Sequence, residues 1–489
     1  MIWTKIILGT GIILIIIFFW TVWSLYSKRE ILKFAEKYKS SDKFYPIFGN
    51  SLTLINNDCF QFANQVKKRG SPIGCWLGPN YYYMPDDSEE IRLILTHPDC
   101  LEKAELFYNL SKLIIPANIL YLPVKQWKPK RKFLSKSFNQ VTLNSFVPIF
   151  YKNSKTLIET LKDMENRDLF VVCVAYALSS FLETMGNKEY NFQTEQGFKL
   201  LEELDLFQEI FGHNVVKAIS GYPFLLICIW KNFMKFLQGA KSAMFFTSSM
   251  HKVVSERKKQ INENSPVQKS FLDSVIHADK NLYSKSDIND EFAGFAFAAA
   301  DTTGNALAFL LTLLGMNLDI QDKVYEEILW EVGLDRPIEV QDLPKLKYLE
   351  RVIFETLRLF PIAPAIGRYT TNDVNCGTKT FPKGINIVIS IFTLHRNKRY
   401  WIDPLKFNPD RFLPEEVAKR PPNCYIPFSA GTRNCIGKTY GLMSLKVVAA
   451  SVVRNFKITS KYKSVEEMDL RSFLTMRTKH NLDCQFTPR

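Results

Sequence analysis

The chain lacks the paired cysteines of a disulfide framework or a structural zinc site. Its nine cysteines are an odd number, scattered without a CxxC pair, and such usage is typical of a reducing, cytosol-facing compartment. Internal repeats and Gly/Ser-rich linkers are also missing from its 489 residues. These absences exclude a small secreted scaffold and a repeat array. They favour one large folding unit, whose core the 46% of hydrophobic residues can supply.

Acidic residues are scarce relative to basic ones. The 49 Asp and Glu residues face 63 Lys and Arg residues, which gives a formal net charge of +14. The chain has no zinc module, aromatic-basic recognition motif or basic tail, so we expect no nucleic-acid partner. A membrane surface or an acidic protein partner explains the excess positive charge better.

One long hydrophobic run lies at the N-terminus. Residues 6–23 carry no charge, and with their apolar neighbours they approach the roughly 20 residues that span a bilayer. The run is long for a signal peptide and lacks an Ala-x-Ala cleavage site. Basic residues follow it, so the positive-inside rule predicts a lumenal N-terminus and a cytosolic body, in which the Asn109 sequon stays unglycosylated. We predict an anchor at residues 1–27, a basic linker at 28–44 and a catalytic domain at 45–489.

Cys435 lies in a glycine-hinged loop, residues 428–437 (FSAGTRNCIG), that runs into an apolar helical pattern. Gly431 and Gly437 permit tight turns, and a helix N-terminus favours a charged sulfur. The loop therefore suits presentation of a thiolate to a metal, for which a haem iron is the best candidate. We interpret the other cysteines as small buried hydrophobes, namely Cys59, Cys75, Cys100, Cys173, Cys228, Cys376, Cys424 and Cys484.

Residues 291–316 predict a long, mostly apolar helix that contains Asp301, Thr302 and Thr303. An acid and two alcohols inside a buried helix need a reason. Thr302 either bonds to a carbonyl one turn earlier and bends the helix, or the same bend opens a space in which an acid and an alcohol transfer protons.

Two further pairs have helical spacing. Trp127 and Arg131 are four residues apart, and Glu355 and Arg358 are three apart, so each pair shares one face of a helix. Alone, both pairs are ordinary surface decoration. Pro361 ends the second helix soon after Arg358.

The loop at 428–437 resembles the haem-ligand loop of the cytochrome P450 superfamily, the haem-thiolate monooxygenases. Residues 394–397, 407–414 and 426–431 are most similar to the fourth animal family, the fatty-acid ω-hydroxylase type, and residues 45–50 resemble the segment that starts the catalytic domain in microsomal members. The resemblance implies a mainly α fold with a small β region, the cytochrome P450 fold, preceded by one N-terminal transmembrane helix.

The resemblance also implies site residues. Cys435 would ligate the iron of a haem b. Asp301 and Thr302 would be catalytic and deliver protons during dioxygen activation. A buried charge network would retain the haem, formed by Glu355, Arg358 and Arg411. The haem propionates would be bound by Trp127, Arg131, Arg368 and Arg433.

The chain departs from the fourth family at Ala298. Many members carry there a glutamate that can esterify the haem, so covalent attachment through this residue is excluded. The departure leaves the position of substrate oxidation open and indicates a divergent member. An insect-like enzyme of detoxification or hormone metabolism fits that description.

The resemblance implies a membrane-bound monooxygenase of the endoplasmic reticulum that acts on a lipophilic small molecule. NADPH-cytochrome P450 reductase would supply electrons, with cytochrome b5 as a further donor. Residues 221–230 form an apolar run too short to span a bilayer, which predicts either an ordinary buried helix or a substrate-access lid that dips into the membrane. The expected reductase-docking surface consists of Lys128, Lys130, Lys132, Lys136 and Lys438.

Other functions remain open at this level. A reductase-independent haem-thiolate isomerase of hydroperoxides needs no protonation of dioxygen, so the acid and alcohol at 301 and 302 argue against it. A non-catalytic haem sensor or carrier would bind haem in the same way without turnover. A single-pass receptor would leave the buried motifs unexplained.

Overall fold

The structure is a computed structural model. It describes residues 26–38, 49–50, 72–77, 80–104, 118–164, 167–219, 233–262, 270–472 and 475–489. Several expectations lie outside these residues: the membrane-spanning run at 6–23, the segment at 45–48, the burial of Cys59 and Cys228, the Asn109 sequon and the apolar run at 221–230.

The described residues are mainly helical. Their α-helices are α1 (Arg29–Lys37), α2 (Ser88–Thr96), α3 (Val124–Leu134), α4 (Gln140–Asn144), α5 (Val147–Lys162), α6 (Leu169–Gly186), α7 (Glu195–Ile219), α8 (Phe233–Asn262), α9 (Phe271–Ile276), α10 (Lys285–Met316), α11 (Leu318–Glu331), α12 (Lys347–Leu359), α13 (Ile391–Leu394), α14 (Pro414–Ala418) and α15 (Lys438–Asn455). Short 3₁₀ turns connect several of them.

The strands are short and form small sheets. They are β1 (Ile73–Leu77), β2 (Asn80–Met84), β3 (Ala365–Tyr369), β4 (Val374–Cys376), β5 (Lys379–Phe381), β6 (Asn386–Ser390), β7 (Phe456–Ser460), β8 (Leu470–Ser472), β9 (Met476–Thr478) and β10 (Cys484–Pro488). One sheet has the order β1-β2-β6-β3, in which only the β2–β6 pair is parallel. The other pairs are β10–β7, β4–β5 and β8–β9. This architecture confirms the predicted mainly α class with a small β region.

The centre of the fold is the crossing of α6 and α10. Within the described part of the chain these are the two helices long and apolar enough to cross a membrane, but 94% and 78% of their apolar windows are buried inside the protein, so both are core helices. Gly304 allows their close contact, because a Cβ atom there would lie 2.5 Å from the Val174 Cα. Ser284 and Asp287 form a capping box at the start of α10, which stabilises this end of the helix.

Helix α1 lies within the expected linker at 28–44. Ile31, Phe34 and Ala35 are spaced for one helical face, and all three are buried. Phe34 lies edge-on to Tyr83 of β2, with ring centroids 5.5 Å apart. This stretch is therefore a helix docked on the four-stranded sheet, because its apolar residues recur at helical spacing.

Candidate active site

The loop that carries Cys435 is closed by its own backbone. The Cys435 N–H donates to the Phe428 carbonyl at 2.9 Å, and the Asn434 N–H donates to the Gly431 carbonyl at 3.2 Å. Gly431 has φ +70°, and a Cβ there would lie 2.1 Å from the Leu95 carbonyl oxygen. Only glycine fits this position. The loop then leads into α15, as predicted, with Gly437 as the N-cap.

Cys435 differs from the other described cysteines. It is the exposed one, whereas Cys75, Cys100, Cys173, Cys376, Cys424 and Cys484 are buried, and all seven are free thiols. Burial raises the pKa of the Cys435 thiol, while the Gly437 backbone N–H, Arg131 and Lys438 act in the opposite direction. A thiol that is both accessible and surrounded by protein lines a concave site. A cation placed there would favour the thiolate, which is the form that binds metals.

Trp127 and Arg131 of α3 reach the loop as separate contacts. The Arg433 guanidinium stacks over the Trp127 ring at 4.1 Å and donates to the carbonyls of Leu101 and Leu122 at 3.1 and 2.8 Å. Arg131 donates to both the carbonyl and the side-chain oxygen of Asn434, at 3.0 and 2.9 Å. The structure therefore brings both α3 residues to the chain segment beside Cys435.

Arg368 lies in β3 and is buried. Its Nη2 is 3.5 Å from the Ser429 Oγ of the loop. Lys103 lies within electrostatic range of Arg368 and Arg433. Burial, and then the positive charges of these two arginines, hold the pKa of Lys103 well below its usual value. Sequence reasoning missed Lys103, because no motif surrounds it.

A lysine whose charged form is disfavoured by burial and by two neighbouring arginines fits an anionic ligand. A nearby carboxylate offsets the repulsion and favours the charged form of each base. The two propionates of a haem would supply such carboxylates, while Cys435 would supply the iron ligand. The residues present therefore fit a thiolate-ligated haem.

Asp301 and Thr302 lie in the middle of α10. Asp301 is buried, and its Oδ1 accepts from Arg477 at 3.1 Å. The Thr302 hydroxyl donates to the Ala298 carbonyl at 2.7 Å, which confirms the hydrogen bond to the preceding turn. The helix is continuous from Lys285 to Met316, so the expected opening does not interrupt it. Ala298 is exposed although most residues of this helix are buried, which indicates that this face lines a cavity.

Helix α10 approaches the loop region at the first turn of α15. A Cβ at Gly441 would lie 3.9 Å from the Thr303 Oγ1, and a Cβ at Gly437 would lie 3.9 Å from the Cys435 Sγ. The acid-alcohol turn and the cysteine are therefore neighbours across the contact between these two helices.

The Glu355 carboxylate organises the predicted charge network. It accepts from Arg358 at 2.7 and 2.9 Å and from Arg411 at 3.3 Å, and Glu355 and Arg358 are fully buried. Arg358 also donates to the carbonyls of His395 and Pro404. The three residues meet as predicted.

The imidazole of His395 connects this network to the loop. Its Nε2 accepts from the Ile426 N–H at 2.9 Å, just before the loop begins. Burial, and then the charge of Arg358, lowers the pKa of His395 to about 3, so the ring is neutral and accepts this hydrogen bond at ordinary pH.

One of the five expected docking lysines, Lys130, is buried, so the expectation that it is a surface residue is wrong. Lys128, Lys132, Lys136 and Lys438 are exposed. Lys130 is 6% exposed and lies over the Tyr283 ring at 4.2 Å. It points inward because it lies on the face of α3 that packs towards α10.

Comparisons with known proteins agree over almost the whole chain. The family model "Cytochrome P450" matches residues 40–484. Cytochrome P450 4V2 of Homo sapiens is 31% identical over 468 residues, which are 90% of this chain and 87% of that protein. Probable cytochrome P450 313a3 of Drosophila melanogaster is 32% identical over 417 residues, 82% of this chain and 83% of the relative.

A third relative, cytochrome P450 4p1 of Drosophila melanogaster, is 29% identical over 470 residues, with 91% and 90% of the two chains covered. The relatives place the chain near the fourth animal family at the distance of a divergent member. The family model covers most of the chain, and two of these relatives exceed 30% identity over more than four fifths of it. The chain therefore belongs to the cytochrome P450 family of monooxygenases, with a thiolate-ligated haem b as its cofactor.

Proposed function

We propose that this P450 is anchored in the endoplasmic reticulum membrane and inserts one oxygen atom of O2 into a lipophilic substrate, such as a fatty acid, a hormone or a xenobiotic. The second oxygen atom leaves as water. NADPH supplies the two electrons through cytochrome P450 reductase, and cytochrome b5 is a further donor. The uncharged run at 6–23 and the net charge of +14 support the membrane location.

The observation that carries this proposal is the position of the accessible Cys435 thiol, at the start of α15 and beside the turn of α10 that holds Asp301 and Thr302. When bound, the haem supplies the dioxygen activation that side chains cannot perform. Cys435 would lose its proton to become the ligand; burial raises the pKa of its thiol, and the Gly437 N–H, Arg131 and Lys438 oppose that rise.

The cationic residues orient the cofactor. Arg368 and Arg433 have the planar fork of donors that matches a carboxylate, and Lys103 adds a third positive group beside them. Trp127 stacks on Arg433 and fixes its direction, and Arg131 braces the loop at Asn434. We assign these residues to binding and not to chemistry.

We assign proton supply to Asp301 and Thr302. The two residues are consecutive on α10: the Asp301 carboxylate is buried, the Thr302 side chain is partly accessible, and Ala298 leaves space one turn before Thr302. Proton transfer needs a donor and an acceptor within hydrogen-bond reach, directly or through one water. Asp301→Asn should therefore lower product formation by about a hundredfold or more, within the usual range for general acid-base groups.

The proposal is tested first at Cys435. We expect Cys435→Ser to lose the thiolate-type absorption of the reduced carbonyl complex, together with NADPH-dependent oxygen uptake. Cys376→Ser, at a buried cysteine in β4, is the matched control and should retain both. An unaltered spectrum in Cys435→Ser would contradict the assignment.

Substrate class is tested by product analysis. Purified protein with reductase and NADPH is incubated with fatty-acid, steroid and xenobiotic panels, and oxygen uptake is recorded. Oxygen consumption matched by a hydroxylated product supports the monooxygenase. Conversion of a hydroperoxide without NADPH or oxygen uptake would support the isomerase instead.

The docking surface is reduced to Lys128, Lys132, Lys136 and Lys438, which are exposed. Charge reversal of these lysines should weaken reductase binding and flatten its salt dependence, because exposed charges mainly steer association. Lys323→Glu, an exposed position on α11, is the control. Unchanged affinity and salt dependence in the reversed variant would remove this surface from the proposal.

A further inference from the structure

Arg477 in β9 joins two helices through its guanidinium. Its Nη2 donates to the Asp301 Oδ1 at 3.1 Å, and its Nη1 lies 2.9 Å from the Asp205 Oδ1 on α7. The exposed fractions of the side chains are 6% for Arg477, 5% for Asp301 and 15% for Asp205. One buried cation is therefore shared between α10 and α7.

The sharing leaves the two oxygens of Asp301 unequal. Its Oδ1 is held by Arg477, while its Oδ2 is buried and makes no hydrogen bond to any described residue. A buried carboxylate oxygen without a partner is costly. The Oδ2 is therefore the atom that can accept a water or a proton, provided that Arg477 does not take it.

Asp205 competes for the same guanidinium and is itself held by a second one. Arg471 of β8 donates to the Asp205 Oδ2. Two arginines of the β8–β9 hairpin therefore form ion pairs with α7. Asp168, the N-cap of α6, also faces this cluster: burial raises the pKa of its carboxyl, and Arg477 opposes that shift. Carboxylates from α10, α7 and the start of α6 therefore face the arginines of the hairpin.

Helix α7 is attached to the rest of the protein on one side by α8. Glu203, two residues before Asp205, accepts from Gln238 at 3.1 Å and also from Ser242, both on α8. If α7 moves away from the hairpin, Asp205 leaves Arg477, and Asp301 becomes the nearest carboxylate with which the guanidinium can pair through both nitrogens.

We propose that Arg477 is a positioning residue that couples the place of α7 to the proton-supplying acid Asp301. With α7 docked, Arg477 pairs with both Asp205 and Asp301, and the Asp301 Oδ2 can accept a water or a proton. With α7 displaced, Arg477 captures both oxygens and proton supply stops. The inference rests on the proposed role of Asp301, and it makes that acid available only when the helix above it is in place.

Coupling of this kind is reciprocal. If docking of α7 draws Arg477 away from Asp301, then removal of the Asp301 charge must release Arg477 to Asp205 and hold α7 more firmly. This reciprocal effect needs no turnover, so it can be measured on the resting haem-loaded protein.

The test is amide hydrogen exchange of the full chain, with peptides from α7 compared with those from α11. Asp301→Asn should slow exchange in α7 by about fivefold, at the low end of typical coupling. Arg477→Gln should speed it, and Asp301→Asn added to Arg477→Gln should then change nothing more. Unchanged or faster α7 exchange in Asp301→Asn would overturn the proposal.

Glu203→Gln is the matched control on the same helix. It loosens the contact of α7 with α8 without touching Arg477, so Asp301→Asn should slow α7 exchange by the same factor in this background. A factor that differs between the two backgrounds would mean that Asp301 acts on α7 through some other contact.

The effect of α7 on proton supply is tested in turnover with NADPH and reductase, with dodecanoic acid as the probe substrate. Failed protonation releases hydrogen peroxide, with NADPH, H⁺ and O2 giving NADP⁺ and H2O2. Asp205→Asn should raise the peroxide formed per NADPH by about fivefold, and Glu203→Gln should not. An unchanged ratio in Asp205→Asn would refute the link to proton supply.

Failure of this inference is distinguishable from failure of the proposed function. The exchange results test the pairing of Arg477 with Asp205 and Asp301 and need no turnover. The carbonyl spectrum and oxygen uptake of Cys435→Ser decide the monooxygenase assignment whatever the exchange results are.

Discussion

Glu355→Gln should disrupt the buried charge network of Glu355, Arg358 and Arg411, which we propose retains the haem, with little change of shape. The carboxylate is fully buried and accepts four hydrogen bonds: two from Arg358, one from Arg411 and one from the Asn408 N–H at 2.9 Å. A neutral amide leaves the two guanidiniums without a counter-charge in the interior.

The size of the effect follows from the burial. Breaking a buried ion pair by removing one partner costs about 3–5 kcal/mol, since the remaining cation keeps its desolvation penalty without the compensating attraction. Stability of a folded protein is about 5–15 kcal/mol. The loss is therefore a large share of the total, and the variant should shed haem before it unfolds completely.

The assay is urea unfolding of the haem-loaded protein, followed by haem absorbance and by helical circular dichroism. Glu89→Gln is the control, because Glu89 makes the same kind of pair with Arg92 at i,i+3 on an exposed helix surface, and its midpoints should not move. A Glu355→Gln variant that keeps parental haem content and both midpoints would refute the reasoning.

Three further changes test other parts of the structure. Lys103→Met should speed haem loss to apomyoglobin about tenfold, because a charged hydrogen bond contributes about 1.5–3 kcal/mol. The exposed Lys125→Met is the control and should not change the rate, so equal rates in the two variants would contradict the role of Lys103. Burial raises the pKa of Glu291 from 4.5 to about 7, so the folded state keeps a proton that the unfolded state has lost, and stability falls by roughly 3 kcal/mol as pH rises from 4.5 to 7. Urea unfolding of Glu291→Gln should show a smaller fall, and parallel pH profiles would exclude this effect. Gly304→Ala should lower the thermal midpoint by several degrees through its contact with Val174, and an unchanged midpoint would show that α6 and α10 adjust freely.

Local patterns in the sequence predicted those parts of the site that lie close together in the chain. The glycine-hinged loop of Cys435 and the buried helix of Asp301 each consist of consecutive residues. So is the pair Glu355 and Arg358, one turn apart on α12. Local sequence predicts such features because turn residues and helical periodicity act over a few positions.

The remaining residues have partners far away in the chain. Arg477 meets Asp301 from 176 positions later, and Lys103 meets Arg368 and Arg433 only through the folded β3 and the loop. Neither carries a local signal. Lys130 was misplaced for a related reason: a basic run shows the charge of a helix but not which of its faces packs inward.

The hydrogen bond within α10 fixes a direction. A threonine hydroxyl has one hydrogen and two lone pairs, and Thr302 gives its hydrogen to Ala298. In this arrangement the hydroxyl offers a neighbouring water only lone pairs, so it anchors a donor and has no proton of its own to give. If this turn supplies protons as we propose, the hydrogen comes from the carboxyl group one residue earlier, and the Thr302 oxygen holds the water that receives it.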